Sequence, residues 1–298
     1  MHFHLLLPEF KHYCLREKGI QPKSYRTIIS HVQRLLSSSN VQTLRSLKTP
    51  HVKEYLYTQS YQYDWQPKTF RNHLQSINTF CRWAKEKGYL LHHPAKRIKK
   101  PKLPKPLPRY LTQQEATLIL QEARKPQGRS AFISARDYTI IATFLQTGVR
   151  LNELRHLKYS DIDLEGRTIK VEKGKGSKMR LIPLHFNLLP ILNNYLAIRK
   201  KNYSTALWLF PSCRQNMQLS NKYIHQWCRQ LSLASGVKFT PHMLRHTFGR
   251  QCTDQNFPFF KLKEIMGHSS IATTQRYASV SVKGLQESFA QIDLVWNH

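Results

Sequence analysis

A single stretch, PAKRIKKPKLPKPLPR from Pro94 to Arg109, breaks the chain in two. It holds five prolines, seven basic residues and no acid. Proline stops a helix and favours extended backbone, and like charges stretch the segment further. It reads either as a solvated linker or as a linker lying along DNA phosphates, and both readings put a domain boundary here. The expected organisation is a helical domain over residues 1–93, a linker over 94–109 and a second domain over 110–298. At 298 residues the chain is long enough for two domains with separate cores.

Charge is shared evenly across the break. Residues 1–108 and residues 109–298 each carry a formal +15, for a total of +30. A folded protein this basic has nucleic acid as its first expected partner and an anionic membrane surface as its second. No run of 18 apolar residues occurs, which excludes an ordinary membrane span. Leu5-Leu6-Leu7 is too short for a signal peptide and lacks a basic region before it. The expected place is therefore the cytoplasm. The five cysteines are scattered, odd in number and without a C-x-x-C, so neither a disulfide framework nor a common zinc finger is expected. Most of them read as small apolar fillers.

The first half reads as helices. Ser24 is placed to cap one that carries Tyr25, Ile28, Ile29, Val32, Leu35 and Leu36 on one face. Thr49-Pro50 opens another, with proline at the favoured start. A third runs from Pro67 to Lys87, with Phe70, Leu74, Ile77, Phe80 and Trp83 inward and Gly88 as its stop. The second half opens on a capping box, Thr112 to Glu115. Asp137 to Gln146 reads as a buried helix ended by Gly148. Thr168–Glu172 and Met179–Leu184 read as two strands around a basic, Gly-rich turn over residues 173–178. Helices are expected at about 187–200, 220–234, 241–254 and 259–266, with further segments near 271–279 and 284–296. The fold class is mainly α with a small β-sheet.

Four segments carry chemistry: TGVRLNEL (147–154), GKGSKMRLIPL (174–184), HMLRHTF (242–248) and MGHSSIATTQRYASV (266–280). Each is weak alone, since Gly-Lys-Gly is an ordinary hairpin turn and His-x-x-Arg an ordinary surface pair. Their order and spacing are specific. Arg245 precedes His268 by 23 residues, and His268 precedes Tyr277 by 9. Over about residues 108–282 the chain resembles the tyrosine recombinase, or phage integrase, family, and its Xer-like members above all. The first domain matches that family only in size, helicity and position.

The resemblance implies a helical, SAM-like core-binding domain and a mixed α/β catalytic domain that together close as a C-shaped clamp on duplex DNA. It implies Tyr277 as the nucleophile that forms a 3′-phosphotyrosyl bond, and Arg150 and Arg245 as phosphate clamps. It further implies His268 as a third donor, Lys175 as the acid for the leaving 5′-hydroxyl, His242 as an aid to deprotonating Tyr277, and Glu153 as an acidic residue that orients an active-site side chain. Lys173 and Lys178 share the turn and compete with Lys175. His246 reads either as a residue that supports an active-site side chain from behind or as packing, and Arg276 as a phosphate contact or a surface residue. Asn256 stands where the family has Gly and Met266 where it has Leu, and Arg250-Gln251-Cys252 is more polar than the family pattern.

These residue types suit the task. Attack on a phosphodiester piles charge on the non-bridging oxygens, and preorganised donors must meet it. Arginine does so bidentately and never deprotonates. A tyrosine hydroxyl has a pKa of about 10 and needs help to attack near neutral pH. The covalent bond conserves the energy of the broken one, so no ATP, metal or redox cofactor is expected. Strand exchange implies a homotetramer on a double-stranded recombination site, with a second recombinase or an accessory protein as a further partner.

Several readings compete. A type IB topoisomerase-like enzyme would relax supercoils without regard to sequence. A catalytically silent DNA-binding regulator would have no need of Tyr277. A purely structural basic protein would not need ordered motifs. A metal-dependent nickase would use His2-Phe3-His4, which lies outside any strand pattern. For the biological role, the 92 positions from Arg150 to His242 leave no space for an integron-type insertion. No arm-binding domain is expected ahead of the helical one, which argues against large phage integrases. The high charge favours integration, excision or resolution of a mobile element or plasmid, with Xer-type resolution of chromosome dimers as the alternative. Leu285, Phe289 and Ile292 form a helical stripe that packs either on the chain's own core or on a neighbouring protomer.

Overall fold

A computed structural model of the chain describes residues 3–39, 41, 43–104, 109–126, 128–172, 179–213 and 217–267. The chain divides into two compact units, residues 1–106 and 107–298. None of the described helices is long and apolar enough to cross a membrane.

The first unit is helical: α1 (Phe3–His12) runs into a π-helical turn (Tyr13–Glu17), then come α2 (Pro22–Ser38), α3 (Thr49–Gln62) and α4 (Pro67–Glu86). α1 was not expected, because its apolar stripe is short and interrupted by Pro8. α2 starts at Pro22 with Gln21 as its cap, so Ser24 lies inside the first turn rather than capping it. The proline presets φ at the first helical position and so fixes the start three residues early. α2 and α4 pack on each other and on α3. The predicted inward face of α4 is buried throughout, and Phe10 meets Phe80 edge to face at 5.2 Å between centroids. Ala95 and Ile98 are buried in this same core, so the start of the Pro-rich stretch is part of the first unit.

The second unit contains α5 (Gln113–Arg124), α6 (Ala131–Thr147), α7 (Leu151–His156), a three-stranded antiparallel sheet, and α8 (Leu189–Asn202), α9 (Asn221–Ser235), α10 (Pro241–Asp254) and α11 (Phe259–Met266). The sheet runs β1 (Ile162–Asp163), β2 (Thr168–Val171), β3 (Arg180–Pro183), in that order. Two strands were expected; β1, with two residues, is too short to leave a pattern. α5 begins on the predicted capping box, with Thr112 N–H donating to Glu115 Oε2 at 2.8 Å and Glu115 N–H to Thr112 Oγ1 at 3.1 Å. α6 is the central helix and packs against α5, α8 and α10. It ends at Gly148, whose φ of 60° suits glycine. Asn256 adopts φ 57° after α10, a conformation that glycine tolerates best and asparagine next.

Cys14, Cys81 and Cys228 are buried without disulfides, as fillers. The turn 173–178, the predicted segments after residue 267 and the stripe through Leu285 lie outside the described residues, as does His2.

Candidate active site

Four of the seven predicted site residues lie among the described ones, and the fold brings them together. Arg150 caps α7 and Glu153 is the third residue of that helix. The Glu153 carboxylate closes the helix start by accepting the Arg150 N–H at 2.8 Å, and it also accepts Arg150 Nη1 at 2.8 Å. Arg245 and His242 lie on α10, whose start is set by Thr240 as cap and Pro241 in the first turn. Lys175, His268 and Tyr277 lie outside the described residues.

The anchor for this cluster is the end of α11. A helix leaves its last carbonyls without backbone partners, and they form the negative end of its dipole. Here each of three successive carbonyls receives a different arginine. Arg180 Nε donates to Ile265 O at 2.7 Å, Arg245 Nη2 to Met266 O at 2.7 Å and Arg150 Nη2 to Gly267 O at 2.7 Å. Arg245 Nη1 also donates to Gly148 O, two residues before Arg150. Both predicted phosphate clamps therefore hang on one helix end, and His268 is the next residue in the chain.

Exposure differs between the two. Arg245 is buried, at 2%. Arg150 is 38% exposed along its side chain, and its guanidinium uses two donors among the described residues. A guanidinium has five N–H donors, so Arg150 keeps capacity for an anion. Glu153 is held at a pKa of about 2. Burial alone would raise it, but hydrogen bonds from Arg180 and the Arg150 backbone, with the charges of both arginines, more than offset that. His242 is exposed, with its ring edge to face on His246 at 4.3 Å. Partial burial, then the charges of Arg245 and Arg150, lower its pKa. Its imidazole is therefore neutral at pH 7 and able to accept a proton.

Arg180 was not singled out from the sequence. It makes two further bonds, from Nη1 to Glu153 Oε1 at 2.9 Å and from Nη2 to Glu153 Oε2 at 2.8 Å. The available signal was its register: Arg180 shares a strand face with Ile182 and Leu184, both buried, while Met179, Leu181 and Pro183 are exposed. A charge on the inward face needs a partner.

The phage integrase family model matches residues 109–283. The tyrosine recombinase XerC of Myxococcus xanthus is 31% identical over 296 residues, covering 95% of this chain and 96% of its own. The tyrosine recombinase XerA of Pyrococcus furiosus is 33% identical over 207 residues, 70% of each chain. Among solved structures, the XerH site-specific recombinase bound to a palindromic difH substrate shares the fold, with a TM-score of 0.74, 20% identity and coverage of 95% of this chain and 84% of that one. With the arginine cluster in the predicted order and the family model spanning more than half its length, the chain belongs to the phage integrase family and is a tyrosine recombinase.

Proposed function

We propose that the chain recombines DNA at a specific site by cutting with Tyr277 and rejoining through a 3′-phosphotyrosyl intermediate. The observation that carries this reading is the convergence of Arg150 and Arg245 on the end of α11, directly before His268 in sequence, with His242 on the same helix as Arg245 and within the field of both arginines. In the proposed step the Tyr277 oxygen attacks phosphorus, the bond to the 5′-oxygen breaks, and that oxygen leaves as a hydroxyl. His242, neutral at pH 7, takes the tyrosine proton. Lys175 gives a proton to the leaving oxygen. Arg150, Arg245 and His268 meet the charge on the non-bridging oxygens, which is the costly part of the barrier. A 5′-hydroxyl from another strand then reverses the chemistry, so no external energy source enters.

Exchange between two duplexes involves four strands, and one active site for each gives a homotetramer on the recombination site, with an accessory protein or second recombinase as a further partner. The first unit supplies a second basic surface for duplex DNA, and the place of action is the cytoplasm. For the biological role, integration, excision or resolution of a mobile element or plasmid accords with the charge of +30. Similarity to a XerC recombinase over 95% of the chain supports the second reading, resolution of chromosome dimers.

A covalent trap tests the chemistry. Nicked duplexes from the flanks of the gene, and from a random library, are incubated with the wild type and with Tyr277→Phe. An SDS-resistant, protease-sensitive adduct that is absent from the variant is expected, and its sequence identifies the site. Tight binding without adduct on any duplex would favour a silent DNA-binding protein instead. Adducts spread evenly over all sequences would favour a topoisomerase.

A further inference from the structure

No step of the proposed reaction uses Arg180. Yet it is held as tightly as either predicted clamp, with a side chain only 9% exposed. Its Nη1 and Nη2 take both oxygens of Glu153, and its Nε takes Ile265 O. Glu153 thus accepts four bonds, two from Arg180 and two from Arg150. Each arginine spends a further donor on the end of α11. The chain is bare where Arg180 passes: a Cβ on Gly267, whose φ is 62°, would meet the guanidinium at 3.0 Å.

Charge explains what this adds. Arg150 and Glu153 alone form a neutral pair, and an incoming phosphate would meet the carboxylate's repulsion close behind the guanidinium's attraction. Arg180 brings the trio to +1. It also occupies both Glu153 oxygens, which otherwise compete with the substrate for the remaining Arg150 donors.

We propose that Arg180 is a positioning residue for strand cleavage, which neutralises and pins Glu153 so that Arg150 presents its charge to the scissile phosphate. The same bonds latch β3, which follows Lys175 in the chain, to the helix end that precedes His268. This inference rests on the reading of Arg150 as a phosphate clamp.

The test uses the full chain and the nicked duplex found with the tyrosine trap. Single-turnover cleavage is measured at saturating protein, with Kd measured separately. Arg180→Met is expected to slow cleavage by about 10–100-fold, the scale seen when the partner that orients a metal-binding side chain is lost, while Kd stays unchanged. Arg180→Lys keeps the charge but loses the fork, and is expected to fall between the two. In a Glu153→Gln background, where the charge to be neutralised is gone, Arg180→Met is expected to slow cleavage by no more than about twofold. Equal slowing in both backgrounds, or a loss of DNA binding that matches the loss of rate, would mark Arg180 as structural only and overturn the proposal. Arg150→Ala is run alongside. If it cleaves like the wild type, the clamp reading falls and this inference falls with it. If it is inactive while Arg180→Met cleaves normally, only the inference falls.

Discussion

Replacing Glu153 with Gln removes one charge and leaves the shape of the side chain almost unchanged. The structure sets the cost. The carboxyl is held at about 2, against an ordinary 4.5. A depressed carboxyl stabilises the fold at pH values above its ordinary pKa, and that contribution disappears as pH falls through the folded value. A gap of about 2.5 at about 1.4 kcal/mol per pH unit gives about 3 kcal/mol at pH 7. Breaking a buried ion pair by removing one partner costs about 3–5 kcal/mol, an independent route to the same range. Both apply here because Glu153 and Arg180 are 10% and 9% exposed, so solvent screens them little. The variant also leaves the Arg180 guanidinium facing an amide with only one acceptor.

The measurement is urea unfolding of the full chain at pH 7, read by hydrogen exchange in peptides from α6 and α10 so that the second unit is followed alone. Glu153→Gln is expected to lose about 3 kcal/mol. From pH 5 to pH 3 the wild type is expected to lose about 2 kcal/mol more than the variant, because only the wild type has this carboxylate to protonate. A loss under about 1 kcal/mol at pH 7, within the range of exposed ion pairs, would refute the argument that Glu153 is the electrostatic centre of the site.

Two further outcomes follow from single residues. His73 lies buried between His31, at 3.6 Å between ring centroids, and Trp65, and burial followed by the charges of His31 and Arg34 lowers its pKa to about 4. A depressed histidine costs stability as pH falls, because the unfolded chain protonates first; the wild type should lose about 2 kcal/mol more than His73→Phe between pH 7 and pH 5 in urea titrations read on α2 and α4, and parallel curves would show that His73 titrates normally. In Gly148→Ala the new Cβ would meet the Phe248 ring, at a φ of 60°. The left-handed backbone costs about 1–2 kcal/mol and the overlap a similar amount, so a loss of about 2–4 kcal/mol in the second unit is expected by thermal unfolding; a loss of only about 1–2 kcal/mol would mean that Phe248 moves freely aside, and a neutral result would refute the backbone cost as well.

Legibility in the sequence followed locality. α4 could be read because Phe70, Leu74, Ile77, Phe80 and Trp83 repeat at helical spacing and all five fall inside. α5 and α6 could be read because a capping box and a glycine sit at their ends. The start of α2 was misjudged because Ser24 and Pro22 both signal a helix start, and only the packed helix decides between them. Arg180 was hidden for a related reason. In Met179-Arg180-Leu181-Ile182-Pro183-Leu184 both alternating faces carry apolar side chains, so periodicity alone does not say which one turns inward.

The centre of the site was the least legible part, because its bonds join distant segments. Arg150 reaches 117 residues to Gly267, Arg180 reaches 85 to Ile265, and Arg245 reaches 21 to Met266. Motif order could name Arg150, Glu153, His242 and Arg245, but it could not show that a helix end gathers the two arginines together with Arg180. That arrangement has a physical logic. Three guanidinium groups repel one another, and a single carboxylate offsets only one of their charges. Four further bonds among the described residues run to backbone carbonyls, which carry partial negative charge without cancelling a full unit. Holding arginines largely by carbonyls fixes their geometry while leaving the site net positive, which is what the proposed binding of a phosphate requires. Exchanging those carbonyl contacts for more carboxylates would hold the arginines as firmly and leave the cluster no charge with which to attract DNA.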